Sequence, residues 1–341
     1  MTERTDFSGL GEWAQAAARA CLAHDFDPRL RAPTGASETS ATAGGFLLPE
    51  AMASEILTTL YQDRMSILNY VRRFNVPDGS AGLKVSGVDE TSRANGYRWG
   101  GVVADFVDES APQSPTLPKL KATQYATEKI VGLVSVTQEL LADAANLAEF
   151  LKAAFVDEIK YKLEQYILSS AGTGAGKPLS ILNSSALVKV AIPPAQTPAT
   201  LTAANLSAMW AALPAVSRRR AIWAIGESAA QMVESVGEIS YAESGSANPD
   251  DPPRIKGRPV IESDALPAVG AVGDILLIDP AWYGVASKPM ATAMSVHVYF
   301  ANDQIIFRIT WRVDARALVS SRLTTSDGAM RSAFVALAAR S

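Results

Sequence analysis

A chain of 341 residues, 48% of them hydrophobic, can bury a large core and form two or three domains, while a net charge of −4 disfavours a dedicated nucleic-acid binder and leaves room only for a weak or local contact. The single Cys21 excludes an intramolecular disulfide, and His24 and His297 stand far apart without cysteine partners, so no zinc spacing exists. "MTERTDFSGL" lacks the basic start and apolar run of a signal peptide, and no stretch reaches the ~18 apolar residues of a membrane span, which reads as a soluble protein made and used in a cytoplasm.

Leu10, Trp13, Ala14, Ala17 and Cys21 recur at helical spacing, so "SGLGEWAQAAARACLAH" predicts a short amphipathic helix closed before Pro28. Residues 31 to 45, "RAPTGASETSATAGG", have linker chemistry and predict an extended arm. Met52, Ile56, Leu57 and Leu60 mark a second helix starting past Pro49. From Asp78 to Pro118 glycines and prolines accumulate, and Asn95-Gly96 is a favourable pair for a tight turn, which predicts a long two-stranded excursion. An isolated two-stranded ribbon is marginal in water. Tyr97, Trp99, Val102, Val103, Phe106 and Val107 are too apolar for a floppy surface loop, so an intersubunit clasp is the favoured reading.

"KLKATQYATEKIVGLVSV" alternates as a strand, with Ile130, Gly132, Val134 and Val136 on one side. Asn146 and Glu149 then read as a capping box for a helix whose stripe is Leu147, Phe150, Leu151, Phe155, Ile159, Leu163 and Ile167. From Leu147 to Ser170 that helix would run roughly 36 Å. "AIPPAQTPAT" marks a boundary, followed by an α/β stretch: a helix around "AANLSAMWAALP", strand "RRRAIWAI", helix "ESAAQMVESV", a loop over 240 to 254, and strands in "GRPVIES" and "GDILLIDP". Arg218 to Arg220 are read as a solvated strand entry in preference to a phosphate patch. In "IIFRITWRVDA" Ile305, Phe307, Ile309, Trp311 and Val313 alternate with Arg308, Thr310, Arg312 and Asp314, and "VHVYFANDQIIF" supplies the partner strand with Asn302-Asp303 at the turn. Arg308, Arg312 and Asp314 are open to pairing within the sheet or across a subunit boundary.

"AGTGAGKPLS", residues 171 to 180, has the outline of a phosphate-binding loop, yet Ala171 replaces the first glycine and Pro178 the Ser/Thr, and the stretch ends a helix where a phosphate loop would open one. No Gly-x-Ser-x-Gly elbow, His-Glu-x-x-His or paired cysteine cluster occurs, and the adjacent Asp108 and Glu109 read as solvated surface. No cofactor, metal or catalytic residue is indicated, and a structural or assembly protein ranks above an enzyme.

The order of parts resembles the HK97-fold major capsid proteins of tailed bacteriophages. The resemblance rests on "GGFLLP", the extended loop to "SPTLPKL", "VSVTQELLAD" before the long helix, "SSAGTGAGKPLSIL", "AIWAIGESAAQMV", "GRPVIESDALP", "GDILLID" and "FRITWRVDARAL" followed by "SAFVAL", over roughly residues 44 to 338. It implies an α+β chain: an N-terminal helix segment over 1–31, an N-arm over 32–48, a P-domain over 49–77 and 119–190 with a spine helix at 147–170, an E-loop over 78–118, an A-domain over 191–295, and terminal P-domain strands over 296–341. It further implies a virion subunit, assembled in a bacterial cytoplasm into hexamers and pentamers around double-stranded DNA, with portal and possible scaffolding or decoration proteins as partners and no membrane. Arg93, Tyr97, Arg98, Trp99, Phe106, Arg308 and Arg312 are the expected inter-subunit residues. An encapsulin-like host shell shares the fold and is the alternative, whereas a nucleotide-dependent enzyme fails with the broken loop motif. Some members carry a much longer scaffolding segment before the arm, where here 43 residues precede Gly44. Crosslinking members carry a lysine near the E-loop tip; between Glu90 and Glu109 this chain has Arg93 and Arg98 but no lysine, with Lys84 further down, so no isopeptide crosslink is expected.

Overall fold

The computed structural model describes residues 66–77, 79–94, 97–104, 106, 116–137, 145–193, 196–236, 239–240, 253–299 and 304–340, with positions 12, 16, 19, 27, 29, 30, 46, 47 and 60. In chain order the elements are β1 (Phe46–Leu47), β2 (Arg72–Asn75), β3 (Gly82–Val88), β4 (Leu120–Ala126), β5 (Glu128–Thr137), α1 (Ala145–Leu168), β6 (Val188–Val190), α2 (Ala203–Ala212), β7 (Ile222–Ile225) and α3 (Glu227–Ser235). There follow β8 (Ile239–Ser240), β9 (Arg254–Ile255), β10 (Arg258–Glu262), β11 (Ile275–Ile278), β12 (Tyr283–Ser287), β13 (Ala291–Tyr299), β14 (Gln304–Ala317), β15 (Leu323–Thr324), β16 (Met330–Arg331) and β17 (Phe334–Leu337). The chain divides into two units, one of Met1–Gln62, Glu128–Lys160 and Ser287–Val313, the other of Asp63–Thr127, Tyr161–Ala286 and Asp314–Ser341. None of the described helices is long and apolar enough to cross a membrane.

The first unit is built on the period-two strand. Ile305, Phe307, Ile309, Trp311 and Val313 are all buried, as the alternation requires. On one side β14 pairs antiparallel with β13, which in turn carries β1 through Phe46 opposite Met294. On the other it pairs with β5, which sets Ile130, Gly132, Val134 and Val136 opposite Trp311, Ile309, Phe307 and Ile305. One face therefore stacks apolar cross-strand pairs, while Val131 and Leu133 of β5 point outward. Gly132 is required here: a Cβ at that position would stand 2.7 Å from the Phe155 ring of α1. The Trp311 indole N–H donates to the Lys288 carbonyl at 2.9 Å, which satisfies its one polar atom inside the core.

The long helix begins at Ala145, so Asn146 lies inside its first turn and is not the residue that precedes it. Phe155, Ile159, Leu163 and Ile167 of the expected stripe are buried; the side chains of Leu147, Phe150 and Leu151 lie outside the described residues, as do most positions of the two N-terminal helices. Ala16 and Leu60 of those helices are helical and buried.

The second unit contains a seven-stranded sheet in the order β6-β17-β11-β7-β10-β9-β8. The short runs "AIWAI", "RPVIE" and "DILLI" are its central strands because they are apolar on both faces. Leu206 and Met209 of α2 and Ala229 and Val233 of α3 close the core over Trp223, Leu277 and Val335. α2 opens with a reciprocal capping box between Thr202 and Asn205. Arg218 and Arg219 sit in a 3-10 turn ahead of β7, one turn before the strand entry expected for them.

The glycine-rich loop is a closed turn packed on the end of α1. Gly174 N–H donates to Pro178 O at 3.3 Å, Ser180 N–H to Gly172 O at 3.0 Å, and Leu179 N–H to Ala315 O at 2.8 Å. The Gly174 amide is thus donated inside the turn, and no helix follows the turn, unlike a phosphate-binding loop, which opens one.

Arg340 is held in the core as well. Arg340 and Asp274 are both fully buried and form an ion pair, Gly270 N–H donates to Asp274 Oδ2 at 3.1 Å, and the Arg340 backbone bonds Ala199 and Gly270 at 2.7 Å each. Replacing one member of such a pair strands the other charge. Arg340→Met is expected to destabilise the unassembled subunit by about 3–5 kcal/mol in urea unfolding. Adding Asp274→Asn to it restores most of that loss, because the stranded carboxylate is gone; no recovery in the double variant would show that packing of the arginine stem, and not its charge, is what counts.

Candidate assembly surface

Strands β3 and β4 form a seven-pair antiparallel ribbon, Gly82 opposite Ala126 through Val88 opposite Leu120. The descending strand therefore lies at 120–126, inside the stretch expected to be one continuous strand from 119. Thr127 separates it from β5: its N–H and hydroxyl both donate to the Ala81 carbonyl, at 3.2 and 3.1 Å. The excursion between the two strands is residues 89–119. Asn95 and Gly96 lie outside the described residues; the described reversal is at Arg98–Val102, where an isolated bridge closes over Trp99, Gly100 and Gly101, all at positive φ. Gly100 is required, since a Cβ there would meet the Lys119 carbonyl at 2.9 Å.

The ribbon's root is built from buried side chains. Val76, Tyr125 and Ala286 form a core with Phe74, Leu83, Val85 and Leu318 packed against it. The Tyr125 hydroxyl donates to the Arg316 carbonyl at 3.3 Å. Asp314, expected on the polar face of its strand, is buried: its Oδ2 accepts from the Ala126 amide at 2.8 Å and from Arg316 Nε at 2.7 Å. Arg316 also donates to the Gly174 carbonyl at 3.0 Å, which ties the glycine-rich turn to the same point. Burial pushes the Asp314 carboxyl above its ordinary value, opposed by Arg316 and the Ala126 amide. Burial likewise raises the Tyr125 and Tyr283 phenols, each beside the Asp314 charge.

Further out, the excursion is held by the chain's last hairpin. Arg93 N–H donates to Thr324 O at 2.7 Å, Thr324 N–H returns to Thr91 O at 3.0 Å, and β15 pairs with β16. Beyond that grip Trp99 is 68% exposed, Phe106 109% and Leu117 88%, and at the end of β4 Leu120 is 66% exposed.

The expected contact residues fall into two groups. Arg93, Tyr97, Arg98, Trp99 and Phe106 share the excursion: Arg93 is engaged by Glu90 at 2.6 Å, Tyr97 is half-buried, and Arg98, Trp99 and Phe106 are exposed. Arg308 and Arg312 are both exposed on β14, with Asp314 turned away into the core of the second unit. Leu117, Leu120, Val131 and Leu133 are further exposed apolar residues that the sequence reading passed over. Their signal was the alternation itself, which places Leu120 opposite Tyr125's face of β4 and Val131 and Leu133 opposite Ile130's face of β5.

The family model of the phage capsid family matches residues 44–325, most of the chain, with the ribbon and the excursion inside the match. The chain belongs to the phage capsid family. Its architecture is the α+β HK97-like capsid fold, shared with the capsid of a native GTA particle at 18% identity and TM-score 0.58, over 81% of this chain and 90% of that one. A chain from the structure of Mycobacterium phage Bobi aligns at 15% identity and TM-score 0.53, over 80% of this chain and 89% of that one. No curated protein matches the sequence. The chain is thus a structural virion protein of the phage-capsid type that forms oligomeric shells.

The buried carboxylate gives a pH signature. Because its native pKa lies above the ordinary 3.8, Asp314 contributes stability that is full below that value and is lost as pH rises through the native one. Asp314→Asn keeps an acceptor for the Ala126 amide and removes the titration. Urea unfolding between about pH 3.5 and 7 is expected to show wild type losing stability relative to the variant as pH rises; a constant difference would mean that the carboxyl titrates normally.

Proposed function

We propose that this chain is the major shell subunit of an icosahedral phage head, self-assembling into hexamers and pentamers around double-stranded DNA. The observation that carries this reading is the excursion of residues 89–119. Its root is fixed by an apolar core and by hydrogen bonds at Ala126 and Thr127, while Trp99, Phe106 and Leu117, with Leu120 at the adjoining end of β4, stand in water, a distribution that serves a surface on another copy. Residues 78–118 act as the E-loop and 32–48 as the N-arm, clasping neighbouring subunits through Arg93, Tyr97, Arg98, Trp99 and Phe106, with Arg308 and Arg312 as a second contact. The P-domain comprises 49–77 and 119–190 with its spine helix and the strands of 296–341, and residues 191–295 form the A-domain around the symmetry axes. Head-to-tail contacts of this kind close into rings and then into a shell. The GTA particle capsid, computed with C5 symmetry, is a five-fold arrangement of a chain with the same fold. Portal, scaffolding and decoration proteins would meet the assembled shell, and assembly would take place in the bacterial cytoplasm.

Electron microscopy and light scattering on the purified protein test the reading; closed particles or rings of five and six support it, and a monomer at every concentration and with scaffolding present opposes it. Trp99→Ser combined with Phe106→Ser is expected to leave subunit stability within about 0.5 kcal/mol, since both side chains are exposed, while abolishing particles. Normal particles from that variant would remove the excursion from the interface. On denaturing gels mature particles should run as single subunits, because the lysine nearest the ascending side, Lys84, lies within the ribbon opposite Gln124.

A further inference from the structure

One edge of the seven-stranded sheet gathers cations that are scattered in the sequence. β7 and β10 run parallel, Trp223 opposite Val260, so the segments that enter them share an edge. β9 returns beside β10 with Arg254 opposite Pro259. Arg258 Nη1 donates to the Arg219 carbonyl at 2.6 Å, which fixes the two entry segments in contact. Arg218, Arg219, Arg220, Arg254, Lys256 and Arg258 are thereby brought to the same end of the sheet.

Neutral groups hold several of these cations in place. Lys256 Nζ donates to Ser207 Oγ of α2 at 3.0 Å, while Arg218 lies 5.7 Å from the Trp210 ring centroid and donates to the Leu213 carbonyl at 3.2 Å. Asp279 binds Arg220 at 2.8 Å and is itself fully buried, yet the Arg220 side chain remains 49% exposed. Arg219, Arg254 and Lys256 are exposed as well. Glu262 closes β10 and Asp274 precedes β11 at the far end of these strands, whereas Asp279, which follows β11, stands at the near end and is the carboxylate that pairs with Arg220. Among the described residues this end thus gathers six cations beside the Asp279 carboxylate, within a chain whose net charge is −4.

We propose that this edge binds the phosphate backbone of double-stranded DNA. The proposal deepens the shell reading and rests on its claim that the shell holds DNA. Arginine occupies five of the six positions, and its planar donor fork matches phosphate oxygens in a way a lysine ammonium does not. Such contacts carry no sequence information, which suits a container for any genome. The negative charge of the rest of the chain confines the grip to this edge, so the attachment is local and salt-sensitive.

The test uses the purified full-length protein, unassembled, and a fluorescent mixed-sequence duplex, with anisotropy followed over a salt series. Wild type should bind, and Arg219→Glu with Lys256→Glu should lose at least about tenfold in affinity at low salt and flatten the log–log salt slope by about 2. Arg72→Glu with Arg73→Glu, an equal charge change at two exposed positions of β2, outside the seven-stranded sheet, should leave binding nearly unchanged. Equal loss in both variants would reduce the effect to overall charge and overturn the proposal, as would no binding by wild type at low salt. Poly-glutamate bound as tightly as DNA, and lost in the same variant, would also overturn it, since the edge would then dock acidic protein. Arg219→Gln with Lys256→Gln repeats the test should the charge reversal unfold the subunit. Particles seen by microscopy without DNA binding would sink this edge and leave the shell standing; binding without particles would do the reverse.

Discussion

The buried carboxylate of Asp314 joins three segments that lie far apart in the chain. It accepts from Ala126 at the base of the ribbon and from Arg316, whose guanidinium reaches the glycine-rich turn at Gly174. Tyr125 and Tyr283 complete the joint through the carbonyls of Arg316 and Leu179. A carboxylate removed from water is costly, and here the cost is partly offset by a charged partner and a backbone donor held in place by neighbouring strands. Without that joint the ribbon would be a two-stranded hairpin with a small core, and hairpins of that kind do not hold a fixed direction in water. Whatever the excursion does at its far end depends on this rooting.

The far end carries the opposite balance. Full burial of one Trp or Phe side chain is worth about 1.5–3 kcal/mol. Association of two subunits forfeits several kcal/mol of translational and rotational freedom, so one excursion on one neighbour gives only a weak contact. In the proposed shell each subunit both gives and receives such a contact, and ring closure lets later contacts form without repeating the loss of freedom. Weak single contacts with strong closure favour correction of misplaced subunits over trapping, as a shell of many identical parts requires. The bonds from Thr91 and Arg93 to Thr324 matter in this balance, because they order the near half of the excursion before any neighbour arrives.

Local pattern made some of this legible. β14 could be read because one face is in the core and the other in water, which writes a period of two into Ile305 to Val313; α1 could be read because its stripe keeps one side buried to Ile167. Asp314 could not, since the same alternation assigns it to the polar face and nothing local announces the Ala126 amide. The descending strand of the ribbon merged with β5 in the sequence because both are alternating runs, and the break at Thr127 depends on a carbonyl at Ala81. The cationic edge was invisible for a related reason: Arg218 to Arg220 and Arg254 to Arg258 are separate short runs, each ordinary alone, that only parallel pairing of β7 with β10 unites. What the sequence hides in each case is a contact between distant segments, whereas the order of weak motifs along the chain was enough to identify the family.

Distance along the chain also constrains when the assembly surface can exist. β17 lies between β6 and β11 in the seven-stranded sheet, and the Arg340 backbone closes on Ala199 and Gly270. The ribbon of residues 82–126 depends in the same way on Asp314, Arg316 and Thr324. Contacts so remote in sequence form late, because loop closure has to precede any gain from them. A nascent chain that has made the excursion but not residues 314–324 therefore has the sticky side chains without the root that aims them. The fixed ribbon and the completed sheet both wait for residues 314–340, so the excursion takes its direction only once those contacts have formed. In the proposed shell, whose subunits would meet through the exposed Trp99 and Phe106, anchoring the ribbon on residues 314–324 couples the ability to assemble to the folding of that anchor.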